Sequence, residues 1–527
     1  MLSPARQRFS RKDEPTILKK NFPQIDPNPE VKLPWTPYMY AGVASLCTFA
    51  YGFNIGIIAV ALLSIQRHWS AGSLETAFIV SSMLAGAILG SVFATHEGAG
   101  RKPMLLGSCA LLAVGAFASA LSPNVVVLIV SRFVVGIGVG VASIMPGLLI
   151  TELSPAAIRG QLGVFNQIAG FVGIVASYCV GLLMIWIAGA EANISFMLFM
   201  SAAVIAAISF ALASLMLPES PRWLVKHGHN ADALSIVQTI YGPANVHQSL
   251  AEYAALAESH KNDSTSPKTA LPWRLWWLVL GLQLAQQAAG SGFLTYYAAA
   301  IFRSWGLSAE AAVGATLLSA LPQLALFLVS LRWGLIETMG RKRLLLLSAG
   351  SVALVLAGLG VISLFGAQLM NLSPLLFAGL LVLGLTIHRV AYALRLAPVP
   401  TVLIAESVPF GHRSRVLSVA LTLNWTLNFL LTTLIPSLAG DDFSTNLGMI
   451  YLALAVAGVG GFIFISHFVK ETRGLALEAA EEMHLVPVLP VDPVKRSRID
   501  ISGLAMMETK ALKPPPIPQL RSSHLEV

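Results

Sequence analysis

Twelve long apolar stretches separated by short polar turns dominate this chain, at about 38–64, 73–95, 103–121, 125–152, 158–187, 194–217, 272–303, 309–336, 342–366, 371–407, 412–438 and 443–468. A helix rising about 1.5 Å per residue needs roughly 20 such residues to cross about 30 Å of hydrocarbon, so each stretch predicts one membrane-spanning helix. The polar region 218–271 divides them six and six. Within it, apolar residues at helical spacing over Ala231–Ile240 and Leu250–Leu256 predict short helices outside the bilayer. The sixth stretch must stop at Pro218, Glu219, Ser220, Pro221, Arg222, Trp223 and Leu224, because each proline drives the residue before it out of the helical region. The expected organisation is a tail (1–37), a six-helix half (38–217), a helical linker (218–271), a second six-helix half (272–468) and a second tail (469–527). The fold class is all-α membrane protein with two pseudo-symmetric halves.

Composition agrees: of 527 residues, 55% are hydrophobic and only 11% charged, which excludes a soluble globular protein of this size. Basic residues set the orientation. The connections after even-numbered helices hold Arg101, Lys102, Arg159, Arg222, Lys226, Lys261, Lys268, Arg274, Arg341, Lys342, Arg343, Arg413 and Arg415, against Arg67 and Arg303 on the other side. Basic loops stay inside, so both termini are expected in the cytoplasm, and the basic 1–37 tail does not read as a cleaved signal peptide. The net charge of +8 is scattered through loops without aromatic platforms, which argues against nucleic acid and for a lipid bilayer as the partner. Cys47, Cys109 and Cys179 all fall in apolar runs and are expected as three buried thiols, with no metal site and no cofactor. The sequons at Asn193 and Asn371 fall on the outer side.

Several motifs carry a family likeness. The run PESPRWL from Pro218 to Leu224 resembles the signature closing the sixth helix of sugar porters in the major facilitator superfamily. Glu97 with Gly100, Arg101 and Lys102 after helix two, and Glu337 with Gly340, Arg341 and Lys342 after helix eight, resemble that superfamily's loop motif, where the acid caps a helix start. Arg132, Gly136, Gly138, Gly140, Pro146, Glu152, Pro155, Arg159, Gly160 and Gln167 fall at the family's spacing in helices four and five. Pro398, Glu406, Pro409, Arg413, Asn424 and Trp425 do so in helices ten and eleven. Glu471, Thr472, Arg473 and Gly474 resemble a PETKG motif whose proline is here Lys470. The resemblance spans about residues 38–480 and implies the major facilitator fold, with short intracellular helices and carriage by alternating access.

A carrier needs polar groups that line a cavity inside the bilayer. Gln167, Gln286, Gln287 and Asn424 are uncharged amides able both to donate and to accept, as a hydroxyl-rich substrate requires, and Trp425 offers an apolar face. By resemblance these five match family substrate-site residues, and Tyr296 and Tyr297 match the outer gate. Three family groups are missing: Gly292 and Ala325 stand where asparagine is usual, and Thr401 where tryptophan is. Arg389 and Arg395 lie inside the tenth apolar stretch, Arg389 next to His388. Three readings stay open for Arg395: a bond to carbonyls freed at the helix break, a ligand for an anionic substrate, or a side chain reaching the interface. Asn54 counts with the substrate site. It stands where proton-coupled sugar porters resemble one another in having aspartate, and an amide does not titrate.

Glu152, Arg159, Glu219, Arg222, Glu337, Arg341, Glu406, Arg413 and Glu471 gather at the inner helix ends, where the resemblance assigns them to a gate that closes in the outward-open state. The expected activity is carriage of a small neutral monosaccharide or polyol by uniport. Proton symport, an organic-anion carrier using Arg395, and a transport-inactive sensor remain alternatives. No nucleotide loop, nucleophile elbow or paired carboxylate points to an enzyme. Plasma membrane is the family's commonest destination, and protein partners are left open.

Overall fold

The structure is a computed structural model that describes residues 35–94, 98–189, 192–242, 245–265, 271–333, 340–395, 399–408, 412–440 and 443–472. In the first half, helices α1 (Thr36–Trp69), α2 (Ser73–Phe93) and α3 (Arg101–Ala120) precede α4 (Val125–Ala142), which continues as α5 (Met145–Glu152). Helices α6 (Arg159–Ala188) and α7 (Ile194–Met216) complete that half. Three short helices follow, α8 (Pro221–Lys226), α9 (Asn230–Tyr241) and α10 (Val246–Thr265). The second half opens with α11 (Trp273–Ala288), α12 (Ser291–Ser304) and α13 (Ala309–Trp333). It continues with α14 (Arg341–Leu364), α15 (Gly366–Leu372), α16 (Pro374–Arg395) and α17 (Val399–Ser407), and ends with α18 (Arg413–Ala439) and α19 (Phe443–Phe468). This is the all-α, two-half membrane fold the sequence leads one to expect.

Eleven segments among the described residues are long and apolar enough to cross a bilayer, α4 and α5 counting together as one. The remaining span is divided. Helices α11 and α12 have 16 and 14 residues, each too short alone, and meet at Gly290 with φ +65°. Glycine adopts that left-handed turn without strain, so the seventh span is interrupted near its middle. The apolar run around Gln286–Gly292 gave no sign of the interruption.

The same pairings recur in both halves. Helix α3 packs on α7 as α14 packs on α19, and α2 packs on α4 as α13 packs on α16. Helix α1 is the most enclosed span, with 78% of its apolar window buried against 28% for that of α16, so it runs through the centre and α16 meets lipid along much of its length. Small residues let backbones touch: a Cβ on Gly136 of α4 would lie 2.0 Å from the Met83 carbonyl oxygen of α2. Among the described residues the halves meet chiefly along three seams, α1 with α12, α2 with α18 and α6 with α13.

The family-like run at 218–224 is built as expected. Leu217 is extended, Pro221 opens α8, and the Ser220 hydroxyl accepts from the Trp223 backbone N–H. Glu219 takes a role not foreseen. Its carboxylate accepts the backbone N–H groups of Arg101 and Lys102 at 2.9 and 3.2 Å, capping α3 from across the half. Glu471 does the same for α14, accepting from Arg341 at 2.7 Å and Lys342 at 3.1 Å. The Lys102 and Lys342 ammonium groups then reach the carbonyls of Ser214 and Ser466. Glu219→Ala is expected to lower the melting temperature of the purified carrier by an amount corresponding to about 1–2 kcal/mol, and Glu471→Ala by a similar amount. An unchanged melting temperature in both would remove these caps from the stability argument.

One expectation is corrected. Cys47 and Cys109 are buried, but Cys179 is exposed on α6, because an apolar run in a membrane protein has a lipid side as well as an inner one.

Candidate functional site

The centre of the bundle holds an amide cluster. The Asn424 Nδ2 group on α18 donates to Gln283 Oε1 at 2.7 Å and to Gln286 Oε1 at 2.8 Å on α11. Gln286, Gln287 and Trp425 are buried beside it, and no described group accepts from the Trp425 indole N–H. One turn along α18, Asn428 Nδ2 donates to the Tyr296 hydroxyl and its Oδ1 accepts from Thr432. The Tyr297 hydroxyl donates to the Thr432 carbonyl at 3.4 Å, so both tyrosines of α12 are pinned to α18.

Asn428 also bears on one of the missing groups. A Cβ on Gly292 would fall 2.3 Å from Asn428 Oδ1, so the Asn428 carboxamide occupies the space a residue-292 side chain would need. Gln283 and Asn428 escaped the sequence reading, although each lies one helical turn from a residue it named, Gln286 and Asn424. Gln323 on α13 is likewise buried, two residues before Ala325, and Thr401 is exposed.

Gln167 on α6 is exposed, and among the described residues no hydrogen bond joins it to these amides. Asn54 on α1 is fully buried and donates to the Ala50 carbonyl at 3.0 Å. Arg132 on α4 is fully buried too; its Nε donates to the Ile79 carbonyl and its Nη2 approaches Met83 Sδ at 3.4 Å. Across the seam between halves, the Tyr178 hydroxyl of α6 donates to the Thr295 carbonyl at 3.3 Å, and the rings of Phe171 and Phe327 lie 5.3 Å apart. Nearer the basic end, the hydroxyls of Ser91 and Thr422 are 3.0 Å apart.

The charged residues at the basic end pair inside each half. Arg101 grips Glu152 through Nε and Nη2 at 3.2 and 3.5 Å. Arg341 Nη2 lies 2.8 Å from Glu406, whose other oxygen accepts from the Thr472 hydroxyl at 2.6 Å. Arg159 donates to the Ser154 carbonyl and pairs with Glu252 of α10 at 3.7 Å. Burial, then the Glu252 carboxylate, raise the Tyr241 phenol above its usual range, so it stays neutral at this junction. Arg222 is exposed and has no ion pair among the described residues. Glu337, like Glu97, lies outside the described residues, as do the side chains of Arg395 and Arg413.

Two six-helix halves around a buried, uncharged hydrogen-bonding cluster define a membrane carrier and not an enzyme. The chain belongs to the sugar transporter family: the model of that family, "Sugar (and other) transporter", matches residues 40–484. The plastidic glucose transporter 4 of Arabidopsis thaliana is 30% identical over 462 residues, covering 86% of this chain and 81% of that protein. The glucose transport protein of Synechocystis sp. is 30% identical over 84% of this chain and 96% of its own length. The arabinose-proton symporter of Bacillus subtilis is 27% identical, over 88% and 99%. Among solved structures, the proton:xylose symporter XylE bound to 6-bromo-6-deoxy-D-glucose superposes with a TM-score of 0.69 and 25% identity, covering 85% of this chain and 99% of XylE.

Proposed function

We propose that this family member carries a monosaccharide-sized, hydroxyl-rich substrate by alternating access, as a uniporter, with both termini on the cytoplasmic side. The observation that carries the reading is the Asn424–Gln283–Gln286 cluster with Trp425 beside it, set at the centre of the bundle. Amides that bond one another in the absence of substrate can exchange those bonds for sugar hydroxyls at little net cost, while the indole face packs against C–H surface. Relatives named for glucose, for xylose and for arabinose support the substrate class. Uniport is supported by Asn54, which has no proton to exchange. It is supported as well by the placement of the described carboxylates, which lie at helix ends or in α8–α10 and their flanks: Glu75, Glu152, Glu219, Asp232, Glu252, Glu258, Glu310, Glu406 and Glu471. Opening and closing then falls on the three seams, since the Arg101–Glu152 and Arg341–Glu406 pairs move with their own halves.

The test is uptake of labelled glucose, xylose and a polyol into liposomes holding the purified full chain, with and without an inward proton gradient. Saturable uptake that stops at equal concentrations on both sides, gradient or not, is the expected result. Accumulation above that level driven by the gradient would replace uniport with symport. No uptake of any of these would remove the sugar reading.

A further inference from the structure

Arg389 is the residue that this reading leaves without a task. It sits near the middle of the span formed by α16 and α17, is 5% exposed, and neither its Nε nor its Nη2 has a hydrogen-bond partner among the described residues. Its guanidinium carbon lies 6.0 Å from the centre of the Tyr178 ring on α6, so the side chain faces the opposite half of the carrier and not lipid. The backbone around it is held firmly. His388 bonds the Ala289 carbonyl at the α11–α12 break at 2.7 Å, and the Tyr392 hydroxyl, one turn further, lies beside Ser291 and Gln286. Arg389 is therefore one helical turn from the amide cluster, at the seam between the halves.

The two unfilled donors form one edge of the guanidinium, and the protein shows what that edge fits. Arg101 uses its own Nε and Nη2 to hold both oxygens of Glu152. A buried guanidinium without an anion is strongly disfavoured in a medium of low dielectric, and Tyr178, which meets Arg389 with its ring and its hydroxyl, offsets only part of that cost. The described carboxylates lie at helix ends or in α8–α10 and their flanks, and none is paired with it. Arg132 has its Nε on the Ile79 carbonyl and its Nη2 on Met83, leaving only Nη1 without a partner, so among the described residues the open two-donor edge is that of Arg389. A single planar fork matches a carboxylate in charge and geometry, whereas a phosphate dianion calls for a second cation.

We infer that Arg389 is a carboxylate receptor beside the amide cluster, and that the substrate is a sugar acid: a monosaccharide whose hydroxyls meet the amides and whose single carboxylate docks on the Arg389 fork. This rests on the sugar reading above and adds the anionic group to it.

The test uses the full chain in liposomes at pH 7, comparing competition by glucuronate, glucose, glucose 6-phosphate and lactate against labelled glucuronate and labelled glucose. The expected result is half-saturation for glucuronate at least about tenfold below that for glucose, with Arg389→Gln collapsing the ratio of the two to about one and Arg389→Lys restoring part of it. Equal or better handling of glucose by the wild type would overturn the inference while leaving the sugar reading intact. So would a ratio unchanged in Arg389→Gln. Preference for glucose 6-phosphate would overturn the carboxylate assignment, and lactate competing as well as glucuronate would overturn the sugar half of it. Failure of both glucose and glucuronate sinks the sugar reading and this inference together. The wild-type preference decides the matter even if the Gln variant does not fold.

Discussion

Replacing Gly136 with leucine is expected to leave no monodisperse carrier after detergent extraction, whereas Gly160→Ala should behave as the parent does. Around Gly136 the first Cβ atom would already stand 2.0 Å from the Met83 carbonyl oxygen, and the next nearest atoms are also backbone. Overpacking a core commonly costs about 1–3 kcal/mol because side chains nearby can shift. Here the obstacle is a helix axis, so α2 and α4 would have to separate along a contact that continues at Gly140, whose Cβ would meet the Ala87 carbonyl at 2.3 Å. Gly160 has nothing within 4 Å of its Cβ position. Size-exclusion profiles of the two variants, expressed side by side, check the prediction, and a normal profile for Gly136→Leu would refute the close approach of α2 and α4.

Asn424→Ala is expected to weaken substrate binding by roughly 10- to 100-fold while changing the melting temperature of the substrate-free protein far less. One Nδ2 group serves two acceptors, so its loss removes a donor from both Gln283 Oε1 and Gln286 Oε1 in a buried site, where a lost hydrogen bond costs on the order of 1–3 kcal/mol. Water entering an open cavity relieves that cost in the empty carrier, but the occluded, substrate-bound state has no such relief. Asn424→Asp should fare as badly, since aspartate keeps the size and loses the donor. Isothermal titration against the best transported sugar reads the effect directly. Binding within about twofold of wild type in both variants, a difference below about 0.5 kcal/mol, would show that the cluster is only a helix-to-helix contact.

The spans were legible because bilayer thickness fixes their length, and nearly every predicted boundary lies within a few residues of an observed one. Leu217 and Pro221 mark the clearest, since proline acts through its own ring and its immediate neighbour. The break at Gly290 was hidden because a left-handed glycine inside an apolar run looks like any other small residue at a helix contact. Glu219 and Glu471 were recognised as belonging together at one end of the molecule, yet their capping partners lie 118 and 130 residues away, a pairing that no local pattern encodes. The amides of the site were found in part: Gln286 and Asn424 stood out by likeness to a family, whereas Gln283 and Asn428 required knowing which helix faces meet. Arg389 was visible as a charge at membrane depth, but only its surroundings show that its Nε and Nη2 donors are unfilled.

The paired caps made by Glu219 and Glu471 have a mechanical consequence. Each acid belongs to the strand of chain that leaves the last helix of its half, and each grips the start of that half's third helix. Every half is thus laced into a closed loop by its own exit segment, without help from the other. A machine assembled from two such self-fastened bodies concentrates wear at the joints between them. Lesions that stall transport while sparing stability should accordingly cluster along the α1–α12, α2–α18 and α6–α13 seams, and lesions within the laces should show first as lowered stability.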